Sequence, residues 1–150
     1  MITAARPTLM ALQRLTPESS DRFREGIRLF NREEFFACHE ALEAVWLEAD
    51  GPDKTFLQGL IQVAVAYHHL RRGNAAGAVR LLRAGIEKLS ARSSYRRRID
   101  AEALRALLEP LPGLIEAGQA GPQTPAPQIR LLPAGESFLE NGFPLSPDDR

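Results

Sequence analysis

Phe35 to Trp46, FFACHEALEAVW, and Phe56 to Leu70, FLQGLIQVAVAYHHL, are the two stretches whose reading decides the fold. In both, apolar residues recur at helical rather than alternating spacing over more than ten positions, which is long for a strand. Between them Asp50-Gly51-Pro52 supplies a left-handed-tolerant stop and a proline that cannot continue the preceding helix. The two stretches therefore read as an antiparallel helical pair. Each also carries polar side chains on a face expected to be buried.

The flanking sequence extends this pattern. Thr16-Pro17-Glu18 is a helix start, with an N-cap, proline at the first position and an acid in the first turn, and Phe23, Ile27 and Phe30 form its apolar stripe as far as about Arg32. A second helix then begins near Glu33 or Glu34 and runs to about Ala49. Asp53 is expected to cap the third, which carries Phe56, Leu60, Val63, Tyr67 and Leu70 and stops at Gly73-Asn74. The fourth places Val79, Leu82, Ile86 and Leu89 on one stripe and ends at Ser93-Ser94. A fifth, capped by Asp100, runs through Leu104, Leu107 and Leu108, with Pro110 and Pro112 breaking it before Leu114-Ile115. Residues 1–15 read as a short amphipathic helix through Leu9, Met10, Leu12 and Leu15, its start limited by Pro7.

Residues compared forty positions apart reveal an internal repeat: Phe23 with Val63, Ile27 with Tyr67, Phe30 with Leu70, Cys38 with Ala78, Leu42 with Leu82 and Trp46 with Ile86. Each unit is a helical hairpin. The run Gly73-Asn74-Ala75-Ala76-Gly77-Ala78 is similar to the turn of tetratricopeptide hairpins, where small residues let helices approach closely. Two units are too few for an open solenoid. The expected fold is all-α, a compact bundle of antiparallel hairpins over residues 1–118, followed over 119–150 by an extended tail rich in proline and glycine. Ile129, Leu131, Leu132, Phe138, Leu139 and Phe143 are expected to pin that tail to the bundle.

The 150-residue chain carries no net charge, so no global field points to nucleic acid or a membrane surface. Acids crowd the first half, and Arg71, Arg72, Arg80, Arg83, Lys88, Arg92 and Arg96 to Arg98 load the next, which reads as solvated faces of opposite sign. Cys38 is the only cysteine, so no intramolecular disulfide and no cysteine-built zinc site can form. No run approaches the ~20 apolar residues of a membrane span, and no signal-peptide core is present. A cytoplasmic location is expected. The sequence is silent on oligomeric state, and homo-oligomerisation is compatible with it.

The polar residues fall into two stripes. Phe36, His39, Glu43 and Trp46 share a face of the second helix, with Glu40 at its border, and Gln58, Gln62, Val65 and His69 share a face of the third. Counting back from the turn sets His39 level with Gln62, and Glu43 with Gln58, so the four are expected to form a hydrogen-bond network. His69 lies about 10 Å further along, at about 1.5 Å per residue, and is expected near the turn at Glu33 and Glu34. His39-Glu40-x-x-Glu43 lacks the second histidine of a zincin helix, which weakens a metal reading; the ligands a divalent ion would take here are His39 and Glu43. His39 oriented by Glu43 could also serve as a general base.

At these residues the chain resembles the bacterial and archaeal domain of unknown function 309 family. The resemblance rests on Phe35-Phe36, His39-Glu40-x-Leu42-Glu43-x-x-Trp46, Phe56 to Ala64, His69, Arg72-Gly73-Asn74 and Gly77-Ala78, and covers about residues 23–90. It implies an all-α bundle of hairpins and no assigned activity. By position it picks out His39, Glu40, Glu43, Trp46, Gln58, Gln62 and His69, the set the helical faces select independently. The reading that follows is a helical protein with a polar pocket between the second and third helices that binds a small molecule or a peptide. The alternatives are a metal-assisted or general-base hydrolase using the same residues, and an adaptor whose basic face meets nucleic acid or an acidic partner. The balance of charge argues against nucleic acid.

Overall fold

A computed structural model describes residues 16–133. Among them are six α-helices: α1 (Pro17–Asn31), α2 (Phe35–Leu47), α3 (Gly51–Arg71), α4 (Ala75–Lys88), α5 (Ala101–Leu108) and α6 (Leu111–Glu116). A 3-10 turn, Tyr95–Arg98, stands between α4 and α5. The helix expected before residue 16, and Phe138, Leu139 and Phe143, lie outside the described residues. No helix among those described is long and apolar enough to cross a membrane.

Local chemistry accounts for the boundaries. The Thr16 hydroxyl accepts the Ser19 N–H at 3.1 Å, the Asn74 carbonyl oxygen accepts that of Gly77 at 3.0 Å, and the Asp100 carboxylate that of Ala103 at 3.2 Å, so α1, α4 and α5 each start on a side-chain cap. Asp53 does not cap α3, whose first residue is Gly51. Its carboxylate is buried and accepts the Ser93 hydroxyl at 2.8 Å and the Ser94 N–H at 2.9 Å, tying the start of α3 to the loop after α4. That loop begins earlier than expected, because α4 stops at Lys88.

The two hairpins α1–α2 and α3–α4 turn in the same way. Glu34 N–H reaches Leu29 C=O at 2.9 Å, and forty residues later Asn74 N–H reaches His69 C=O at 2.9 Å. Glu33 and Gly73, also forty apart, both adopt positive φ, 63° and 82°. Every apolar pair in the sequence repeat has the same degree of burial in both units, from Phe23 and Val63 at the centre to half-buried Trp46 and Ile86. Phe30, Phe35 and Tyr67 form the heart of the core, with Phe35 stacked on Tyr67 at 5.2 Å and Phe30 edge-on to both. Cys38 packs there fully buried, which pushes its thiol up to about 12 and leaves it a small hydrophobe.

Helix α3 is the central element, with α2 on one side and α4 on the other. Its closest crossing is with α4, where Gly59 and Gly85 face each other. A Cβ on Gly85 would stand 2.8 Å from the Gly59 carbonyl oxygen, and one on Gly59 would stand 2.9 Å from that of Gly85. The small residues at the head of α4 do different work. Gly77 makes room for the capping Asn74 side chain, which a Cβ there would meet at 2.6 Å.

Candidate binding groove

The buried stripe of α2 is Phe35, Cys38, Leu42 and Val45. Rotated away from it are Phe36, His39, Glu43 and Trp46, and this polar stripe is not sealed in the core as expected. Phe36 and Glu43 are exposed, and His39 and Trp46 are half-buried. His39, Glu43 and Trp46 form one wall of a surface groove of about 340 Å³, lined also by Gln58, Ile61, Gln62 and Val65 of α3 and by Leu81 of α4.

His39, Glu43, Trp46, Gln58 and Gln62 thus line one groove, while Glu40 is exposed outside it and His69 does not reach it. His69 sits at the end of its own helix, its Nδ1 3.2 Å from the Asn74 amide nitrogen. The residue that crosses to the Glu33 turn is Arg71, whose Nη2 and Nε lie 2.7 and 3.2 Å from Glu33 Oε1. The four-residue network does not form either. His39 faces its own helix, Nδ1 3.3 Å from the Phe36 carbonyl oxygen and Nε2 3.6 Å from Glu43 Oε1, and neither glutamine joins it.

Two polar atoms in this lining are shut off from solvent without a hydrogen-bond partner: the Trp46 indole Nε1–H, a donor, and Gln62 Oε1, an acceptor. Such atoms each cost about 1–3 kcal/mol, so folded proteins hold few of them. One face of the Trp46 ring is covered by the Lys54 ammonium, 4.0 Å from the ring centroid. Beyond the groove, Phe36 lies between His39 and His68, at 5.2 and 5.6 Å between ring centroids. Burial, together with the nearby Arg72, His69 and His39 charges, pushes His68 below the usual histidine range.

His39 and Glu43 remain a pair. Among the described residues no three His, Cys, Asp or Glu side chains converge on a point where a metal ion could sit. Sequence reasoning missed Leu81 and Lys54. Leu81 is one residue off the buried stripe of α4, and Lys54 is a single cation in the first turn of α3, so neither carried a periodic signal.

Residues 23–81 match the family Domain of unknown function (DUF309). Over those residues the chain is similar to this family. The DUF309 stretch contains every groove-lining residue, from His39 to Leu81. The chain is 48% identical over 60 residues to the uncharacterized protein YpuF of Bacillus subtilis (strain 168), covering 39% of this chain and 34% of that one. It is 28% identical over 100 residues to an uncharacterized protein of Aquifex aeolicus (strain VF5), covering 66% of this chain and 30% of that one. The chain thus spans about a third of the length of the curated relatives it matches.

Proposed function

We propose that the groove between α2, α3 and α4 is a binding site for an amide group, presented by a small molecule or by a peptide segment. The observation that carries this reading is the orphaned pair, Trp46 Nε1–H and Gln62 Oε1. An amide offers one acceptor and one donor, the complement of what the two atoms lack. The groove, at about 340 Å³, falls at the lower end of ligand-site volumes, and Ile61, Val65 and Leu81 give it the apolar surface such sites use. Exposed Glu43 adds a negative charge to the lining, with the His39 ring beside it.

The hydrolase reading has less support, because both ring nitrogens of His39 already face acceptors within its own helix. The basic-adaptor reading is weakened by the arginines themselves. Arg71 is held by Glu33, Arg83 by Glu116, Arg96 by Glu102, and Arg98 bonds the Ser20 hydroxyl.

Trp46 is the only tryptophan, so its fluorescence reports on the groove. Titration with a set of N-acetyl dipeptide amides should give a saturable change for at least one member. Gln62→Leu should abolish that change while raising thermal stability, since it removes an unpaired buried acceptor. Absence of any saturable response, or unaltered binding by Gln62→Leu, would overturn the proposal.

A further inference from the structure

A second cavity, of about 670 Å³, opens at the other end of α3, between its first turn, the loop that follows α4, the 3-10 turn and the first turn of α5. It lies outside residues 23–81 except for Pro52 and Asp53. Three arginines line it, Arg92, Arg96 and Arg97, against two carboxylates, Asp53 and Glu102.

Both carboxylates are engaged. Asp53 is buried and holds Ser93 and Ser94, and the Ser93 oxygen in turn accepts the Tyr95 N–H at 3.0 Å. This fixes the loop on which Arg92 stands and the turn on which Arg97 stands. Glu102 receives the Arg96 guanidinium and has Arg105 at 3.7 Å on its other oxygen. Arg96 is further anchored, its Nε donating to the Leu89 carbonyl at 3.1 Å. What remains on the cavity lining are Arg92 and Arg97, in no ion pair among the described residues, and Ser94, while the Ser90 hydroxyl donates to the Glu87 carbonyl at 3.1 Å.

We propose that this cavity is an anion site for a phosphate group. Two guanidinium forks, one on the loop and one on the 3-10 turn, with the Ser94 hydroxyl on the same lining, suit a tetrahedral oxyanion offering three or more acceptor oxygens. A phosphate carries about −1.5 to −2 charges near pH 7, opposite in sign to the net positive charge of a lining with three arginines and two carboxylates. The loop is held in place by Asp53 before any ligand arrives, so little ordering is left for binding to impose.

The test is thermal unfolding and calorimetric titration of the full chain with inorganic phosphate and with glycerol phosphate, at constant ionic strength set by chloride. Saturable binding and a rise in melting temperature are expected, with at least ~10-fold weaker affinity in Arg92→Gln/Arg97→Gln, whose side chains make no bond the fold depends on. Tighter binding of the ester would assign an organic phosphate, and tighter binding of the inorganic ion the free anion. A response that follows ionic strength alone, or is unchanged in the double variant, would overturn the site. So would tighter binding of a single-stranded oligonucleotide that weakens steeply with salt and depends equally on Arg72 and Arg80, because the arginines would then be serving a nucleic-acid face.

Discussion

Glu33 occupies a left-handed conformation, φ 63°, at the position where the second hairpin has Gly73. A side chain there costs about 1–2 kcal/mol, so the turn by itself would favour glycine. The carboxylate offsets that cost through its two contacts with Arg71 and the Ala126 N–H at 3.3 Å. The Arg71 hydrogen bond holds the Glu33 carboxyl below the usual carboxylate range. A carboxylate whose folded pKa lies below its unfolded value adds stability that is complete above the unfolded value and is lost as pH falls through the folded one. Glu33→Gln keeps the backbone conformation and removes the charge. At pH 7 it should lower unfolding free energy by up to about 1 kcal/mol, the modest figure expected of a largely exposed pair. The gap from the parent should close as denaturation is measured down to about pH 3. A gap that stays constant with pH would mean that the ion pair is not its source.

The helices were legible because their signals are local. Apolar stripes, Thr16, Asn74 and Asp100 as caps, and the Gly51 and Gly73 turns each speak for a few adjacent residues, and the forty-residue echo predicted two similar hairpins. How helices sit on one another is a property of pairs, and there the reading was less exact. The close approach in the second hairpin was expected at the Ala75–Ala78 run, yet it falls at Gly59 and Gly85, whose repeat counterparts Ser19 and Val45 are not glycines. Gly85→Ala tests this contact. In an open helix the change would gain up to about 1 kcal/mol from propensity. Here the new methyl would meet the Gly59 carbonyl oxygen at 2.8 Å and Val63 Cγ2 at 2.9 Å, and backbone cannot step aside as a side-chain end can. Overpacking of this kind costs about 1–3 kcal/mol, so a net loss is expected in urea denaturation. Gly113→Ala in α6, where a Cβ meets nothing within 4 Å, should move stability the other way. Losses of equal size at both sites would remove the crossing as the cause.

At the scale of the whole molecule, the polar stripes show why a site is harder to read than a fold. Periodicity put His39, Glu43 and Trp46 on one face of α2, and Gln58 and Gln62 on one face of α3. Whether those faces meet core, solvent or a groove depends on where Leu81 of α4 comes to lie, which no local pattern encodes. The chain after α6 closes the bundle by a similarly long-range device. Asn31 and Arg71 are repeat counterparts, each the last residue of the first helix in its hairpin, and both hold this returning segment. Arg71 Nη1 donates to the Pro122 carbonyl at 3.2 Å, and the Asn31 amide pairs both ways with Ile129, accepting its N–H at 2.7 Å and donating to its C=O at 2.9 Å. Ile129 is thereby set into the core, and two further backbone bonds, Asp100 N–H to Arg130 C=O and Leu132 N–H to Arg98 C=O, continue the attachment. Asn31→Ala strips the Ile129 backbone of both partners, at about 1–3 kcal/mol. The loss should fall on docking before it falls on the helices, so tryptic cleavage after exposed Arg130 should quicken several-fold while the helical circular dichroism of α1–α4 stays as in the parent. If cleavage quickens only in step with loss of helical signal, Asn31 is supporting the bundle itself, and the segment is held by Arg71 and the Ile99–Leu131 bridge instead.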